Sequence, residues 1–293
     1  MTSKKELELY FHIPFCVRKC LYCDFLSAPA DEGTKAQYMD ALIRETRERA
    51  GDYRDYRVVS VFVGGGTPST VPESLLEKLL EAVREGFELA ETAEITMEVN
   101  PGTVNEEKLR RCREAGVNRL SIGLQSADDR ELAVIGRIHT YGQFLETYYT
   151  ARDCGFSNIN VDLMSSLPGQ KIEGYRKTLG KILALIPPPE HISAYSLIVE
   201  EGTPFYEMER KGILRIPDEE CDRLMYAKTE ELLGKEGYHR YEISNYAKPG
   251  YECRHNCGYW RRREYLGLGI GAASLIGNLR FRNGDSLEAY LDH

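Results

Sequence analysis

Between residues 6 and 235 the sequence alternates six times between a short apolar run and a longer amphipathic stretch. The apolar runs are rich in Val, Ile, Tyr and Phe and are bounded by Gly, Pro or Asn, which is typical of β-strands. Runs such as VVSVFV and NINVDLM read as strands of a parallel sheet that is buried on both faces. The predicted strands occupy residues 6–13, 57–63, 94–99, 118–124, 158–163 and 191–199.

The amphipathic stretches predict helices between these strands. Pro72 suits the first turn of one helix, whose leucines recur at helical spacing, and Asn105 caps another, which ends at Gly116. Such repeats predict βαβ units in a full or partial TIM-type (β/α)6 barrel, with functional residues at the C-terminal strand ends. The predicted helices occupy residues 35–50, 72–85, 105–115, 141–154, 174–186 and 218–235.

The alternation stops after about residue 237. The segment YHRYEISNYAKPGYECRHNCGYW is aromatic, polar and loop-rich, and LGLGIGAAS is apolar and Gly-rich. We interpret residues 1–236 as the barrel domain and residues 237–293 as an extension that lies across it.

Composition limits the function classes. The net charge of −8 and the pI of about 5.5 argue against a nucleic-acid-binding surface, because phosphates attract a basic field. No apolar run reaches the ~18–20 residues that span a bilayer, and the first ten residues show no secretory leader. We therefore expect a soluble cytoplasmic protein, in which cysteines serve as metal ligands more readily than as disulfides.

Three of the eight cysteines form a Cys16-x3-Cys20-x2-Cys23 motif directly after the first predicted strand. Cysteine thiolates are the standard ligands of iron–sulfur clusters, and three ligands leave one iron of a four-iron cluster open for chemistry. The spacing alone equally admits a structural zinc ion with His12 as a fourth ligand, or a redox pair with a bystander.

Glycine and polar residues follow other predicted strands. Residues 64–67 read GGGT, which is neither a dinucleotide nor a Walker motif, and glycine lets the backbone approach a ligand closely. Glu98, Gln125 and Asp162 stand at or near the ends of the third, fourth and fifth strands. Because C-terminal strand ends meet at one mouth of a barrel, we expect these side chains to converge.

The residues around the cysteines, YFHIPFCVRKCLYC, resemble the signature of the radical SAM superfamily. More narrowly, ordered motifs along the chain resemble the oxygen-independent coproporphyrinogen III oxidase family, and together they are far more specific than any one alone. The motifs are GGGTPS (64–69), EVNP (98–101), RLSIGLQS (119–126), IGRIH (135–139), NINVDLM (158–164), LPGQ (167–170), HISAYSL (191–197), YEISNYA (241–247) and HNCGYW (255–260).

This resemblance implies a [4Fe–4S] cluster on Cys16, Cys20 and Cys23, with S-adenosylmethionine (SAM) chelating the fourth iron through its amino and carboxyl groups. Reductive cleavage of SAM to methionine and a 5′-deoxyadenosyl radical is then chemistry of the cofactors. No catalytic side chain of the chain itself is predicted. By the same resemblance the SAM-binding residues are Tyr10, Tyr22, Gly65, Gly66, Thr67, Glu98, Gln125, Arg137, Asp162 and Ser196.

The family has two branches with different functions. Its enzymes oxidatively decarboxylate two propionates of coproporphyrinogen III to vinyl groups, and the other branch binds heme and hands it to client proteins. Phe25 stands where the enzymes have a further cysteine, and only nine residues precede Tyr10, so the enzymes' long N-terminal extension is expected to be absent. Both features favour the chaperone branch. Membership of that branch implies SAM, heme and a heme-accepting client protein as partners. Membership of the enzyme branch would instead imply coproporphyrinogen III as substrate.

The segment at residues 255–260 matches a motif of the chaperone branch. By this resemblance His255 is a heme-iron ligand, because a neutral imidazole binds heme iron well, and Tyr259 and Trp260 pack on the porphyrin. Cys253 is a rival ligand, and plain aromatic packing against the barrel is the alternative for the whole motif. Family members usually continue well beyond LGLGIGAAS, so we also expect this chain to be C-terminally short.

The sequence therefore leaves three hypotheses for the function. In order of preference they are a radical-SAM-type heme chaperone, an oxygen-independent coproporphyrinogen III dehydrogenase, and a structural zinc protein. Cys112, Cys154 and Cys221 are expected to fill space as small apolar side chains. Cys253 and Cys257 form a second close pair, for which metal binding is the minor alternative.

Overall fold

Eleven strands and ten α-helices form the described part of the chain, residues 4–292 of a computed structural model. The strands are β1 (Lys5–Ile13), β2 (Tyr56–Gly65), β3 (Leu89–Val99), β4 (Arg119–Gln125), β5 (Ile159–Ser165), β6 (His191–Ser196), β7 (His239–Arg240), β8 (Asn245–Ala247), β9 (Tyr265–Leu268), β10 (Ala273–Ile276) and β11 (Leu279–Arg282). The helices are α1 (Glu32–Ala50), α2 (Glu73–Gly86), α3 (Glu106–Glu114), α4 (Asp129–Val134), α5 (Tyr141–Asp153), α6 (Ile172–Leu183), α7 (Pro204–Arg210), α8 (Glu219–Lys235), α9 (Arg254–Trp260) and α10 (Leu287–Leu291).

The strands form one sheet in the order β11-β10-β9-β1-β2-β3-β4-β5-β6-β8-β7. Strands β1 to β6 are parallel and pair in sequence order, and each connection between them contains a helix. Parallel neighbours need such crossovers, which cover one face of the sheet with helices. The predicted partial (β/α)6 barrel is thus confirmed.

Side chains alternate between two different environments along these strands. In β1, Leu7, Leu9 and Phe11 belong to the core packed against the helices, whereas Glu8 and Tyr10 face the concave inner side. The same alternation holds in β3 to β6, whose inner face carries many of the buried polar side chains. Strands β2 and β5, which contain VVSVFV and NINVDLM, are largely buried on both faces, as expected, although the inner face of this open barrel is the more polar one.

Local sequence explains the positions of the helices. In α2, Leu76, Leu79, Leu80 and Val83 recur at helical spacing and are all buried. The Asn105 side chain accepts the N–H of Lys108 and so begins α3, as its capping chemistry predicts. The short helices α4, α7 and α9 were not predicted, because six or seven residues show too little periodicity.

The C-terminal extension adds strands to both edges of the barrel sheet. Strands β7 and β8 add to the sheet beside β6, and β9 to β11 add beside β1. Helix α9 packs on the inner face, where a Cβ atom at Gly258 would stand 1.9 Å from Oε1 of Glu8, so only glycine allows this approach. The division at residue 237 stays a prediction. Within residues 4–292, no helix is long and apolar enough to cross a membrane.

Candidate functional site

A cleft opens at the C-terminal ends of the parallel strands. It is bounded by the cysteine loop after β1, the turn after β2 and the ends of β3, β4 and β5. Eleven of the thirteen residues predicted for the cluster and SAM line it. They are Cys16, Cys20, Tyr22, Cys23, Gly65, Gly66, Thr67, Glu98, Gln125, Arg137 and Asp162.

The three cysteines of the motif face this cleft from one short loop. Burial raises the pKa of Cys23, and the nearby Cys20 and Cys16 thiols raise it further. The Thr67 hydroxyl donates to Sγ of Cys16 at 3.4 Å, and Arg137 donates to Sγ of Cys20 at 3.7 Å. Such donors stabilise thiolates, so this arrangement fits an iron–sulfur cluster.

A single zinc ion fits less well. Among residues 4–292, no three His, Cys, Asp or Glu side chains stand close enough together to coordinate one metal ion. His12, the predicted fourth ligand, has both ring nitrogens engaged: Nε2 donates to the Leu26 carbonyl at 2.8 Å, and Nδ1 bonds the Tyr10 hydroxyl at 3.0 Å. A four-iron cluster needs no such convergence, because each cysteine binds a different iron.

The glycines at the end of β2 bring this strand end and the cysteine loop into contact. Gly66 donates to the Ile13 carbonyl at 2.8 Å, and a Cβ atom at this position would lie 2.7 Å from the carbonyl oxygen of Phe15. Gly65 has a φ of +111°, which side chains other than glycine rarely adopt. The turn therefore holds the cysteine loop against the strand ends.

Two half-buried carboxyl groups, Glu98 and Asp162, both line the cleft. Glu98 accepts the N–H of Gly65 at 3.0 Å, and Asp162 accepts from Ser121 at 3.1 Å and from Asn160 at 2.7 Å. Burial raises the pKa of Glu98 to about 8, helped by the charge of Asp162, and burial also raises the pKa of Asp162. Such a pair is suited to receive a cationic or hydroxyl-bearing ligand.

Arg137 is fixed from several sides, partly by a residue that sequence reasoning missed. Its guanidinium donates to the Gly123 carbonyl and to Oδ1 of Asn100 at 2.8 Å, and Asn100 donates to Thr67 at 2.7 Å. Its Nε atom is buried and has no hydrogen-bond partner within residues 4–292. Asn100 stands in the EVNP motif directly after β3, so its place at a strand end was the available signal.

Two predicted SAM residues lie elsewhere. Tyr10 lines the neighbouring cavities that share Glu98 with the cleft. Ser196 is not among the residues that line the cleft: its hydroxyl donates to Asp222 at 2.7 Å and bonds Ser165 at 3.2 Å. The role of Ser196 in SAM binding stays a prediction, and β6 directs this hydroxyl toward α8.

His255, the predicted heme ligand, lies inside the barrel rather than on a surface. It is 2% exposed, its Nδ1 bonds the Ser60 hydroxyl at 2.9 Å, and its Nε2 bonds the Tyr259 hydroxyl at 3.0 Å. Burial lowers the pKa of His255 to about 3, and the Arg119 charge lowers it further, so the ring is neutral. Neither ring nitrogen is open to an incoming iron in this arrangement.

Tyr259 and Trp260, the other two residues predicted to contact heme, line different cavities. Tyr259 is 38% exposed and lines an open cleft between β1 and β9–β11. Trp260 is 55% exposed but lines a different cavity, beside Arg57 and Thr92 near the strand starts. The rival ligand Cys253 donates its thiol to Glu94 at 3.4 Å, and burial raises its pKa to about 12. The structure thus brings His255 and Tyr259 together and leaves Trp260 apart.

Comparisons with known proteins identify relatives of this chain by sequence and by structure. The sequence profile of the Radical SAM superfamily matches residues 10–182. The chain is 38% identical to the heme chaperone HemW of Lactococcus lactis subsp. lactis (strain IL1403) over 98% of this chain and 74% of that protein. It is 40% identical to the heme chaperone HemW of Escherichia coli (strain K12) over 93% of this chain and 71% of that protein. The coproporphyrinogen III oxidase HemN of Escherichia coli, a radical SAM enzyme, matches in structure with a TM-score of 0.85 and 25% identity, over 99% of this chain and 69% of that one.

Proposed function

We propose that this chain, which belongs to the radical SAM superfamily and within it to the family of the heme chaperone HemW, binds heme and passes it to a client protein. The observation that carries this proposal is an identity of 38% and 40% with two such chaperones, over 98% and 93% of the chain. The cytoplasmic location and the identity of the client stay predictions.

Membership of the superfamily implies a [4Fe–4S] cluster and SAM, which together supply radical chemistry when bound. We assign the cluster to Cys16, Cys20 and Cys23. Support comes from the hydrogen bonds that Thr67 and Arg137 donate to two of the three sulfur atoms. These donors favour the thiolate form that iron binds.

We assign SAM to the polar floor of the same cleft. We assign the Glu98 and Asp162 carboxyl groups, which line this cleft, to its amino and ribose groups, and Arg137 to its carboxylate because a guanidinium binds carboxylates at two points. Gly65 and Gly66 keep this wall of the cleft free of side chains.

The second candidate is an oxygen-independent coproporphyrinogen III dehydrogenase. It is favoured by the TM-score of 0.85 with HemN, which shows that the two proteins share a barrel of the same construction. Against it stands Phe25, which occupies the position of the enzymes' further cysteine and is 60% exposed beside the cysteine loop. A side chain without a thiol cannot take over that cysteine's chemistry.

The test of the proposed function is heme binding and release. Anaerobically reconstituted protein is titrated with ferric heme, and the loaded protein is then mixed with heme-free myoglobin as an acceptor. We expect saturable binding in the visible spectrum, followed by transfer of heme to the acceptor. Absence of specific binding would contradict the proposal, and Phe25→Cys tests in parallel whether that position separates the two branches.

A further inference from the structure

The inner face of the barrel continues past β1 onto the added strands and stays open there. Tyr265 pairs in register with Glu8, Leu275 pairs with Tyr265, and Arg280 pairs with Leu275, so these side chains share the inner side. Together with the cysteine loop and α9 they bound a cleft of about 760 Å³. This volume lies within the range of small-molecule sites in proteins.

The lining of this open cleft combines apolar and cationic side chains and also includes the carboxyl group of Glu98. Phe25, Leu26 and Leu275 supply apolar surface, and Phe25 is 60% exposed, although an aromatic ring of this size is normally buried. Arg262 and Arg280 are exposed, and neither forms an ion pair within residues 4–292. A flat apolar ligand with carboxylates at its edge matches this distribution.

Four side chains of the cleft belong to types that bind heme iron, namely Tyr10, His12, Tyr259 and Tyr265, and of these Tyr10 and His12 bond to each other at 3.0 Å. Tyrosine is a known axial ligand of heme, and Tyr259 lines the cleft from α9. Its hydroxyl lies 3.0 Å from Nε2 of His255, whose other nitrogen is held by Ser60. His255 carries its proton on Nε2 when Ser60 donates to Nδ1, and it can then donate to a phenolate oxygen.

We propose that the heme of this chaperone lies in the open cleft, with the Tyr259 phenolate as its iron ligand and with Arg262 and Arg280 paired to its propionates. The inference rests on the proposed function. His255 is then a positioning residue, which holds the phenolate through its Nε2–H and does not touch iron. Ferric iron takes the place of the phenol proton, the proton leaves to water in the cleft, and no electron is transferred.

In the free protein, Tyr259 is expected to be protonated, and its phenolate forms only when heme iron binds. Burial raises the pKa of Tyr259 well above its ordinary value, so the free side chain is a neutral phenol. A bound metal cation reverses this preference, because it favours the deprotonated oxygen. His255 stays neutral throughout, since its pKa is held near 3 by burial.

The test of the iron ligand compares ferric heme complexes by absorption and resonance Raman spectroscopy. We expect the wild-type protein to show phenolate-to-iron charge transfer and enhanced phenolate modes, and Tyr259→Phe to lose both and to bind about tenfold more weakly. His255→Gln should keep the phenolate modes at a shifted frequency. Tyr149→Phe, an exposed tyrosine on α5, is the matched control and should match the wild type.

The arginine assignment is tested on the unmodified protein first. Wild-type protein should bind heme about tenfold more tightly than heme dimethyl ester, whose propionates are uncharged. The double variant Arg262→Gln/Arg280→Gln should lose this preference, whereas Arg223→Gln on α8 should keep it. Equal affinity of the wild type for the two ligands would overturn the assignment without any substitution.

The outcomes separate this inference from the function on which it rests. If the wild type binds no heme, the proposed function and the inference both fail. If the wild type binds heme and Tyr259→Phe keeps the wild-type spectrum while His255→Gln loses it, the histidine is the ligand and only the inference is overturned. Retained SAM affinity in each variant shows that the barrel is folded.

Discussion

The carboxyl group of Glu98 accepts the backbone N–H of Gly65 at 3.0 Å, which joins the end of β3 to the end of β2. Burial raises the pKa of this carboxyl group to about 8. The folded protein therefore holds the proton more tightly than the unfolded chain, whose glutamate pKa is about 4.3.

A pH dependence of stability follows from Glu98. The stabilisation from its raised pKa is fully present below the unfolded pKa of about 4.3 and is lost as pH rises through about 8. In the absence of SAM, we expect the melting temperature of the wild type to fall between about pH 5 and about pH 8 by more than that of Glu98→Gln. Thermal unfolding monitored by circular dichroism measures this, and parallel pH profiles would contradict it.

Substitution of Gly258 tests the close packing of α9 against Glu8 on the inner face of the barrel. Alanine there would place Cβ 1.9 Å from Glu8, so α9 must shift, and we expect a loss of about 1–3 kcal/mol in the free energy of unfolding. Gly234 in α8 is the matched control, because its added Cβ meets no atom of residues 4–292 within 4 Å. Gly234→Ala should be neutral or stabilising by up to about 1 kcal/mol. Equal effects of the two substitutions in chemical denaturation would refute this packing.

Arg137→Lys separates charge from geometry in the SAM cleft. A lysine cannot reach Gly123, Asn100 and Cys20 together as the guanidinium does, so we expect SAM to bind about tenfold more weakly. Arg130→Lys on α4 is the control, since the side chain of that exposed arginine bonds, among the residues that the structure describes, to Asp128 alone. Isothermal titration of the reconstituted protein gives both affinities. Similar losses for the two variants would argue against a specific role of Arg137.

Ser196→Ala tests whether that residue contributes to SAM binding. Because its hydroxyl is directed to Asp222 and Ser165, we expect the SAM affinity to stay within about twofold of the wild type. Gln125→Ala, which removes a side chain that lines the cleft, should weaken SAM binding more. The reverse order of the two effects would restore the role implied by the family resemblance.

Cys16→Ser tests the cluster assignment directly. Loss of one of three thiolates should leave iron and acid-labile sulfide near background after anaerobic reconstitution. Cys221→Ser is the control, because Cys221 lies in α8 away from the cleft, and it should keep the wild-type iron content. Unchanged iron in Cys16→Ser would mean that the cluster ligands are other residues.

The parallel barrel could be predicted because its signals are local and repeated. The predicted ends of the six strands and the six longer helices lie within a few residues of the observed ends. Apolar spacing and caps such as Asn105 depend only on short stretches of sequence, so they can be recognised without knowing the fold. The convergence of Glu98, Gln125 and Asp162 followed from a general rule, because parallel strands bring their C-terminal ends to one edge.

The parts that could not be predicted depend on contacts between distant segments. Nothing in the sequence around Tyr265 shows that β9 pairs with β1, more than 250 residues away, so the open cleft was not foreseen. The direction of the Ser196 hydroxyl and the burial of His255 depend likewise on α8 and Ser60. A motif gives the residue types, but only the packing decides which of them faces a ligand.

The most direct test of the account is an anaerobic assay of reconstituted protein with SAM, a strong reductant and coproporphyrinogen III. HemN from Escherichia coli serves as the positive control, and porphyrins are followed by mass spectrometry. We predict an intact cluster, specific binding of added heme and no change in the mass of coproporphyrinogen III. Loss of two carboxyl groups from that substrate would contradict the account and make the protein a dehydrogenase.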